Sequence, residues 1–269
     1  MVITRMVTTL IAMIVSTALF AGETGCKGNY AAVFHPEGMK VVKGWDGNSA
    51  PQVFKCYAEV ALSGDLMGVI YANETITGFD DKLYAVELAL VSTSGAHPKV
   101  VQSVDLTDRI PVHAEQTGNF YRMNAIGEVV KGSEGVPILH INVWAEISGS
   151  GAISGSSDLF YALQQNKILP ILDILDSNLF AKENIANSSL KISEIFFSSA
   201  KTATHIYVQT QKISFVNGEI KKNKPSLTTF ELRGKKFEPV KFDGQIPAGT
   251  IKLKRVTEVS DYKIEPGAN

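Results

Sequence analysis

Residues 137–175 read PILHINVWAEI (137–147), SGSGAISGSSD (148–158) and LFYALQQNKILPILDIL (159–175). The reading is strand, Gly/Ser connection, strand, tight turn, strand. In the first segment Leu139, Ile141, Val143 and Ala145 alternate with Ile138, His140, Asn142 and Trp144. A period of two places the first, apolar set on one side of a sheet, with His140 and Asn142 looking the other way. Gln165-Asn166-Lys167 is a short polar turn between the apolar segments 159–163 and 168–175, which suits a hairpin. Ile174 and Leu175 make the end of the last strand apolar on both faces, so it is expected to be covered there. The run Gly149–Gly155 lacks the following helix that a phosphate cradle needs, and reads as a flexible connection.

The same grammar extends to both sides. Block one, 39–106, has candidate strands at 39–43, 52–62, 66–72, 83–91 and 99–106, punctuated by Gly64-Asp65 and by Gly78-Phe79-Asp80-Asp81. Block two, 120–175, has them at 120–130, 137–147, 158–163 and 167–175. Block three, 190–242, has them at 190–198, 204–216, 226–232 and 236–242. Asn217-Gly218 is a strong hairpin signal, because a type I′ turn needs positive φ at both central residues. Thr229-Phe230-Glu231-Leu232, a turn, then Lys236-Phe237-Glu238-Pro239-Val240 echoes Phe160-Tyr161-Ala162-Leu163, a turn, then Lys167-Ile168-Leu169-Pro170-Ile171. That echo predicts that Phe160 matches Phe230 and Ile168 matches Phe237. Helical signal is sparse: a short helix is expected over 178–185, capped by Asp176 or Ser177, and a last weak strand over 250–259. The expected fold is all-β, three consecutive four-stranded antiparallel meanders, propeller-like or a sandwich, with little helix.

Three meander blocks of this size, each headed by a short polar loop, resemble degenerate FG-GAP or integrin-like β-propeller repeats over residues 39–242. The resemblance implies an Asp/Asn/Gly calcium loop ahead of a strand. Asp46-Gly47-Asn48 before Gln52 matches that pattern in part, making Asp46 and Asn48 the metal candidates. Ser133-Glu134-Gly135 keeps only the Glu and Gly, and Ser198–Lys201 keeps neither. Calcium takes six to eight oxygen ligands, so little stabilisation by calcium is expected. Three blocks also fall short of the four to eight blades of a closed propeller.

Residues 1–21 carry one charge, Arg5, ahead of an almost wholly apolar run to Phe20. The run is short of the ~20 residues a bilayer span needs, and it matches a signal-peptide core. Cleavage after Ala21 or Ala18 is expected; a retained anchor is the alternative. The remaining 22–269 reads as a single β-rich domain, secreted or periplasmic. Cys26 and Cys56 are the two cysteines. In an exported chain they form one disulfide; the competing reading is a lipoprotein acylated on Cys26, where Gly25 fits but Glu23 stands in place of the leucine.

Charge is uneven: 10 basic and 18 acidic residues over 22–181, against 15 and 9 over 182–269. Two halves attracting each other is the plainer account, a basic surface for an anionic partner the other. Nucleic acid is not an expected partner at a sequence pI of 6.5. No nucleophile elbow, zinc helix or phosphate loop is present, and no cofactor is expected. The five histidines are scattered; His113 with Glu115, and Asp80 with Asp81, read as loop and turn residues. Trp45, beside the polar loop, and Trp144 are the ligand-binding candidates, since exposed Trp stacks on sugars or anchors partners; closing the end of a β-core is the alternative role. The expected function is an exported, non-enzymatic binding or scaffold protein for a glycan or protein surface. The alternative is a secreted carbohydrate-active hydrolase with carboxylates dispersed in sequence.

Overall fold

The computed structural model describes residues 25–28, 30–38, 41–43, 49–77, 81–110, 119–120, 122–147, 153–179, 189–199, 203–216, 219–222 and 224–256. The chain is all-β and antiparallel, with one four-residue helix, α1 (Ala31–Phe34), among the described residues. The first sheet holds β1 (Val41–Lys43), β2 (Ser49–Ser63), β3 (Leu66–Thr77), β4 (Asp81–Ser92) and β5 (Lys99–Asp105) in sequence order. A two-residue strand, β6 (Asn119–Phe120), also pairs with β4. The second meander is β7 (Arg122–Lys131), β8 (Pro137–Ile147), β9 (Ile153–Gln164) and β10 (Lys167–Leu179). The third holds β11 (Ser189–Ser199), β12 (Thr204–Val216), β13 (Glu219–Lys222), β14 (Ser226–Arg233) and β15 (Lys236–Val240). The last strand, β16 (Ile251–Lys252), lies on β11.

Tight turns set the meanders. Gly64 and Gly234 open two of them at φ 53° and 61°, where a Cβ would be strained. Gln165 and Asn166 both take positive φ, 48° and 61°, as a type I′ turn demands. The closing hairpins of the second and third meanders do correspond, but the aromatic match shifts by one residue. Tyr161 pairs with Pro170 as Phe230 pairs with Pro239, and Leu163 pairs with Ile168 as Leu232 pairs with Phe237. Tyr161, not Phe160, is therefore the equivalent of Phe230. Ile168 and Phe237 are equivalent as expected, and both are buried.

The sheets stack face to face with the second meander in the middle. Its Leu139, Ile141, Val143, Ala145, Leu159 and Tyr161 pack against Ile70, Val86, Leu88 and Leu90 of the first sheet. Each such side chain taken fully from water contributes roughly 1.5–3 kcal/mol. Gly127 on β7 sits tight against β2: an added Cβ would stand 2.6 Å from Val60 Cγ2, so a side chain there would force the two to shift. The opposite face of the second meander offers Ile138 and Phe160, which pack with Ile195, Phe197, Ile206 and Phe237 of the third. The second and third meanders are continuous as one sheet, but β10 and β11 meet only at Leu179–Ser189. Beyond that point they part, and β16 takes the edge of β11 that β10 has left, at Phe196 and Phe197.

Two local expectations are corrected. Half of the Gly/Ser run is strand: Gly155, Ser156 and Ser157 pair with Ala145, Trp144 and Val143. Small residues fit there because the tail of the chain presses on this face (below). The helix expected from Asn178 does not begin there, since Asn178 and Leu179 continue β10 opposite Ser154 and Ile153; cross-strand pairing has overridden a local capping signal. Residues 180–188 and 257–269 lie outside the described residues.

Candidate functional site

The outer face of the first sheet is covered in part by the segment 25–38. Its anchors follow from residue type. Cys26 is joined to Cys56 on β2, with Cα atoms 5.7 Å apart. A sulfur so bonded leaves no thiol on Cys26 for a lipid. Tyr30 is buried, and burial with the neighbouring Glu59 carboxylate pushes its hydroxyl up to about 12. Glu59 also accepts from the Gly28 N–H at 3.2 Å. Phe34 stacks on Tyr71 and Phe54, with ring centroids 4.2 and 5.6 Å away. His35 Nε2 and Asn73 Oδ1 are 2.8 Å apart.

Beside these anchors a cleft of about 380 Å3 opens, lined by Val33, Phe34, His35, Gln52, Tyr71, Asn73, Glu87, Val100 and Ser103. That size lies in the ~300–1,000 Å3 range of small-ligand clefts. The β register explains why these side chains meet. Phe54 is directly opposite Asn73, and Cys56, Tyr71, Glu87 and Asp105 form one cross-strand row on the same face. The Tyr71 hydroxyl donates to Glu87 Oε2 at 2.7 Å, and burial followed by that carboxylate holds its pKa well above the usual phenol range. Asn73 is 9% exposed; its Oδ1 is engaged by His35, while its Nδ2 meets no protein acceptor among the described residues. The Gln52 amide and Glu87 Oε1 are likewise without protein partners there. The cleft thus offers an amide donor, a carboxylate acceptor and the part of the half-buried Phe34 ring left uncovered by Tyr71 and Phe54. Family models, curated proteins and solved structures provide no match to this chain.

A second polar constellation lies between the second and third meanders, and it is closed. His140, 1% exposed, reaches Glu128 Oε1 through Nδ1 at 3.2 Å and Asp158 Oδ1 through Nε2 at 2.8 Å. Arg255 Nε and Nη2 donate to Asp158 Oδ2 at 3.1 and 2.9 Å. Asn142 donates to Asp158 Oδ1 at 3.0 Å and to Ser156 Oγ at 2.7 Å, and its Oδ1 accepts from the Val256 N–H at 2.8 Å. The Lys254 N–H donates to Glu128 Oε1 at 2.7 Å, and Arg255 Nη1 donates to the Ser193 carbonyl. Burial alone would push the His140 pKa down; the bonds to Asp158 and Glu128 outweigh that and hold it above its ordinary value. Burial likewise pushes Glu128 up, and the hydrogen bonds from His140 and Lys254 reverse the shift. His140 and Arg255 face the two carboxylates, and with the backbone bonds of Lys254 and Val256 the arrangement clamps residues 253–256 in place.

Of the residues singled out in the sequence, Cys26 and Cys56 come together as expected. Trp144 lies on the His140 face of β8 opposite Ser156, half-buried, with its Nε1 enclosed and lacking a hydrogen-bond partner among the described residues. This is the opposite side of the second meander from the cleft. Trp45, Asp46 and Asn48 lie outside the described residues, as do His113, Glu115 and Asp80. No group of three or more His, Cys, Asp or Glu side chains is disposed to hold a metal among the described residues. No helix among them is long and apolar enough to cross a membrane. The residues that sequence reasoning passed over are Phe34, His35, Tyr71, Asn73 and Glu87. Their one signal is in β3, where Tyr71 and Asn73 alternate with the apolar Ile70 and Ala72.

Proposed function

We propose that this is an exported, non-enzymatic binding protein whose ligand site is the cleft between the segment 25–38 and the first sheet, and whose ligand is a glycan. The observation that carries the reading is the set of unspent hydrogen-bonding groups on Asn73, Gln52 and Glu87 beside the Phe34 ring. These groups open to the cleft, and aromatic faces with side-chain amides and a carboxylate are the chemistry that recognises a sugar ring and its hydroxyls. The Cys26–Cys56 bond supports an oxidising compartment outside the cytoplasm. The stacked sheets act as a rigid scaffold that holds the cleft. A glycan array probed with the full chain tests the reading: binding that is lost in Phe34→Ala and in Asn73→Ala is expected. Binding unaffected by both substitutions places the ligand elsewhere.

A second reading has one observation in its favour. Glu87 and Asp105 are directly opposite each other on β4 and β5, on the same face. Such partners have Cβ atoms ~4.5–5.5 Å apart, close enough for the paired carboxylates of a glycosidase. Asp105 does not line the cleft, however, and its Oδ1 is held by the Thr107 N–H at 2.8 Å. Turnover of a bound glycan that disappears in Glu87→Gln and in Asp105→Asn would favour the hydrolase over the binding protein.

A further inference from the structure

Among the described residues the cleft lining carries one carboxylate, Glu87, and, apart from His35, no basic side chain. Glu87 Oε2 accepts from Tyr71 while Oε1 meets no described protein group. Asp105 stands beside it in the same cross-strand row, and like charges in that relation repel. The third acid of this face, Glu59 on β2, is occupied by the segment 25–38. An independent observation points to a guest: Asn73, nine-tenths buried in the cleft wall, holds an Nδ2 donor without a described protein acceptor. A guest suited to both groups brings a donor to Glu87, strongest when cationic, and a hydroxyl or ether acceptor to Asn73.

Resting on the glycan-binding reading, we propose that the cleft selects amino sugars with a free ammonium group over their neutral or acidic counterparts. The ammonium sits on Glu87 Oε1, where it also relieves the repulsion from Asp105. A ring oxygen or hydroxyl accepts from Asn73 Nδ2, and the sugar face rests on Phe34. N-acetylation removes the charge and with it the salt-sensitive part of the interaction; a uronic acid adds repulsion.

Calorimetric titration of the full chain with a glucosamine disaccharide, its di-N-acetyl form and a glucuronic acid disaccharide tests this at pH 6. The expected order is free amine, then acetylated, then acid. The first step should be about tenfold, the scale one charge-assisted hydrogen bond supplies. Glu87→Gln should abolish the difference in affinity between the free amine and the acetylated form. Raising salt should narrow the gap in the wild type alone. Equal affinity for the amine and its acetylated form, both lost in Phe34→Ala, overturns the ammonium preference and leaves the glycan site standing. Absence of binding by all three sugars overturns the site itself, and with it the preference.

Discussion

The two faces of the central meander are built from the same strands by opposite rules. Toward the first sheet, β8 presents Leu139, Ile141, Val143 and Ala145 to an apolar layer. Toward the third meander, the alternate residues His140 and Asn142 enter a network of four ionisable side chains and the backbone of residues 254–256. The apolar interface needs only shape and area, so it tolerates small changes in volume and is indifferent to pH. The charged interface is directional. It fixes where residues 254–256 lie, but a buried ion pair gains little over an apolar pair and loses much when one partner is removed.

The largest expected difference comes from removing one charge. Asp158 holds both His140 and Arg255, and all three are buried. Asp158→Ala should destabilise by roughly 3–5 kcal/mol, because two cations are left facing each other without their anion. Urea midpoints measure this directly. A loss below about 1 kcal/mol would mean that water enters and the interface is not closed as described.

Next in size is the contrast between the segments 25–38 and 253–256. The first is tied by a covalent bond, the second by ion pairs and hydrogen bonds. Opening the Cys26–Cys56 loop, with its sequence separation of 30, should cost roughly 3–4 kcal/mol in the chain-entropy model. Cys26→Ser with Cys56→Ser should lower the melting temperature and expose the first sheet's outer face to limited proteolysis near residues 30–38. Cleavage near 251–256 should not change. Cleavage appearing equally in both segments would show that the two anchors report one global event.

How much of this was legible in sequence follows from the range of the interactions. The alternation of β8 is local, so its apolar face can be read directly, whereas the two cysteines left a disulfide and acylation of Cys26 as competing readings until the structure joined them. The charged face is assembled from β7, β8, β9 and a segment more than 90 residues beyond Asp158, so His140 read as one of five scattered histidines. The cleft has the same difficulty. Tyr71 and Glu87 become neighbours only once the β3–β4 register is fixed, and Phe34 reaches them through a disulfide and a one-turn helix with no strong capping signal. The one-residue error in matching Phe160 to Phe230 has a cause of the same kind. The hairpins align by their turns, and an aromatic lies in the near-equivalent place of each strand, so the letters alone favour the wrong phase.

A pH series separates the faces more gently. His140 has a folded pKa above its ordinary 6.5, so its stabilising contribution is complete below that value and is lost as pH rises through the folded value. Glu128 has a folded pKa below its ordinary 4.5, so its contribution is present above that value and is lost as pH falls through the folded one. The charged interface should therefore be strongest between about 4.5 and 6.5 and decline on both sides. His140→Gln should flatten the alkaline decline in urea midpoint and leave much of the acid limb. Ile141→Val, on the other face, should shift the whole curve down in parallel. An unchanged alkaline limb in His140→Gln would assign that decline to another group.

The smallest effect tests the apolar face alone. Ile141 is wholly buried between the central meander and the first sheet. Ile141→Val removes one methylene and should cost about 0.5–1.5 kcal/mol, through lost transfer energy and a small void. The loss should be the same at pH 5 and pH 8, since Ile141 sits among apolar side chains. The polar contacts of the cluster are confined to the Tyr57 and Tyr161 hydroxyls, which bond Glu74 and Arg109, the Tyr161 hydroxyl raised to about 12 chiefly by burial. Combining it with Asp158→Ala gives a cycle across one strand layer. Ile141 and Asp158 project to opposite faces, so their costs should add to within ~0.5 kcal/mol. A larger interaction energy would mean that the central meander shifts as a body when either face is disturbed, and that its two rules of construction are not independent.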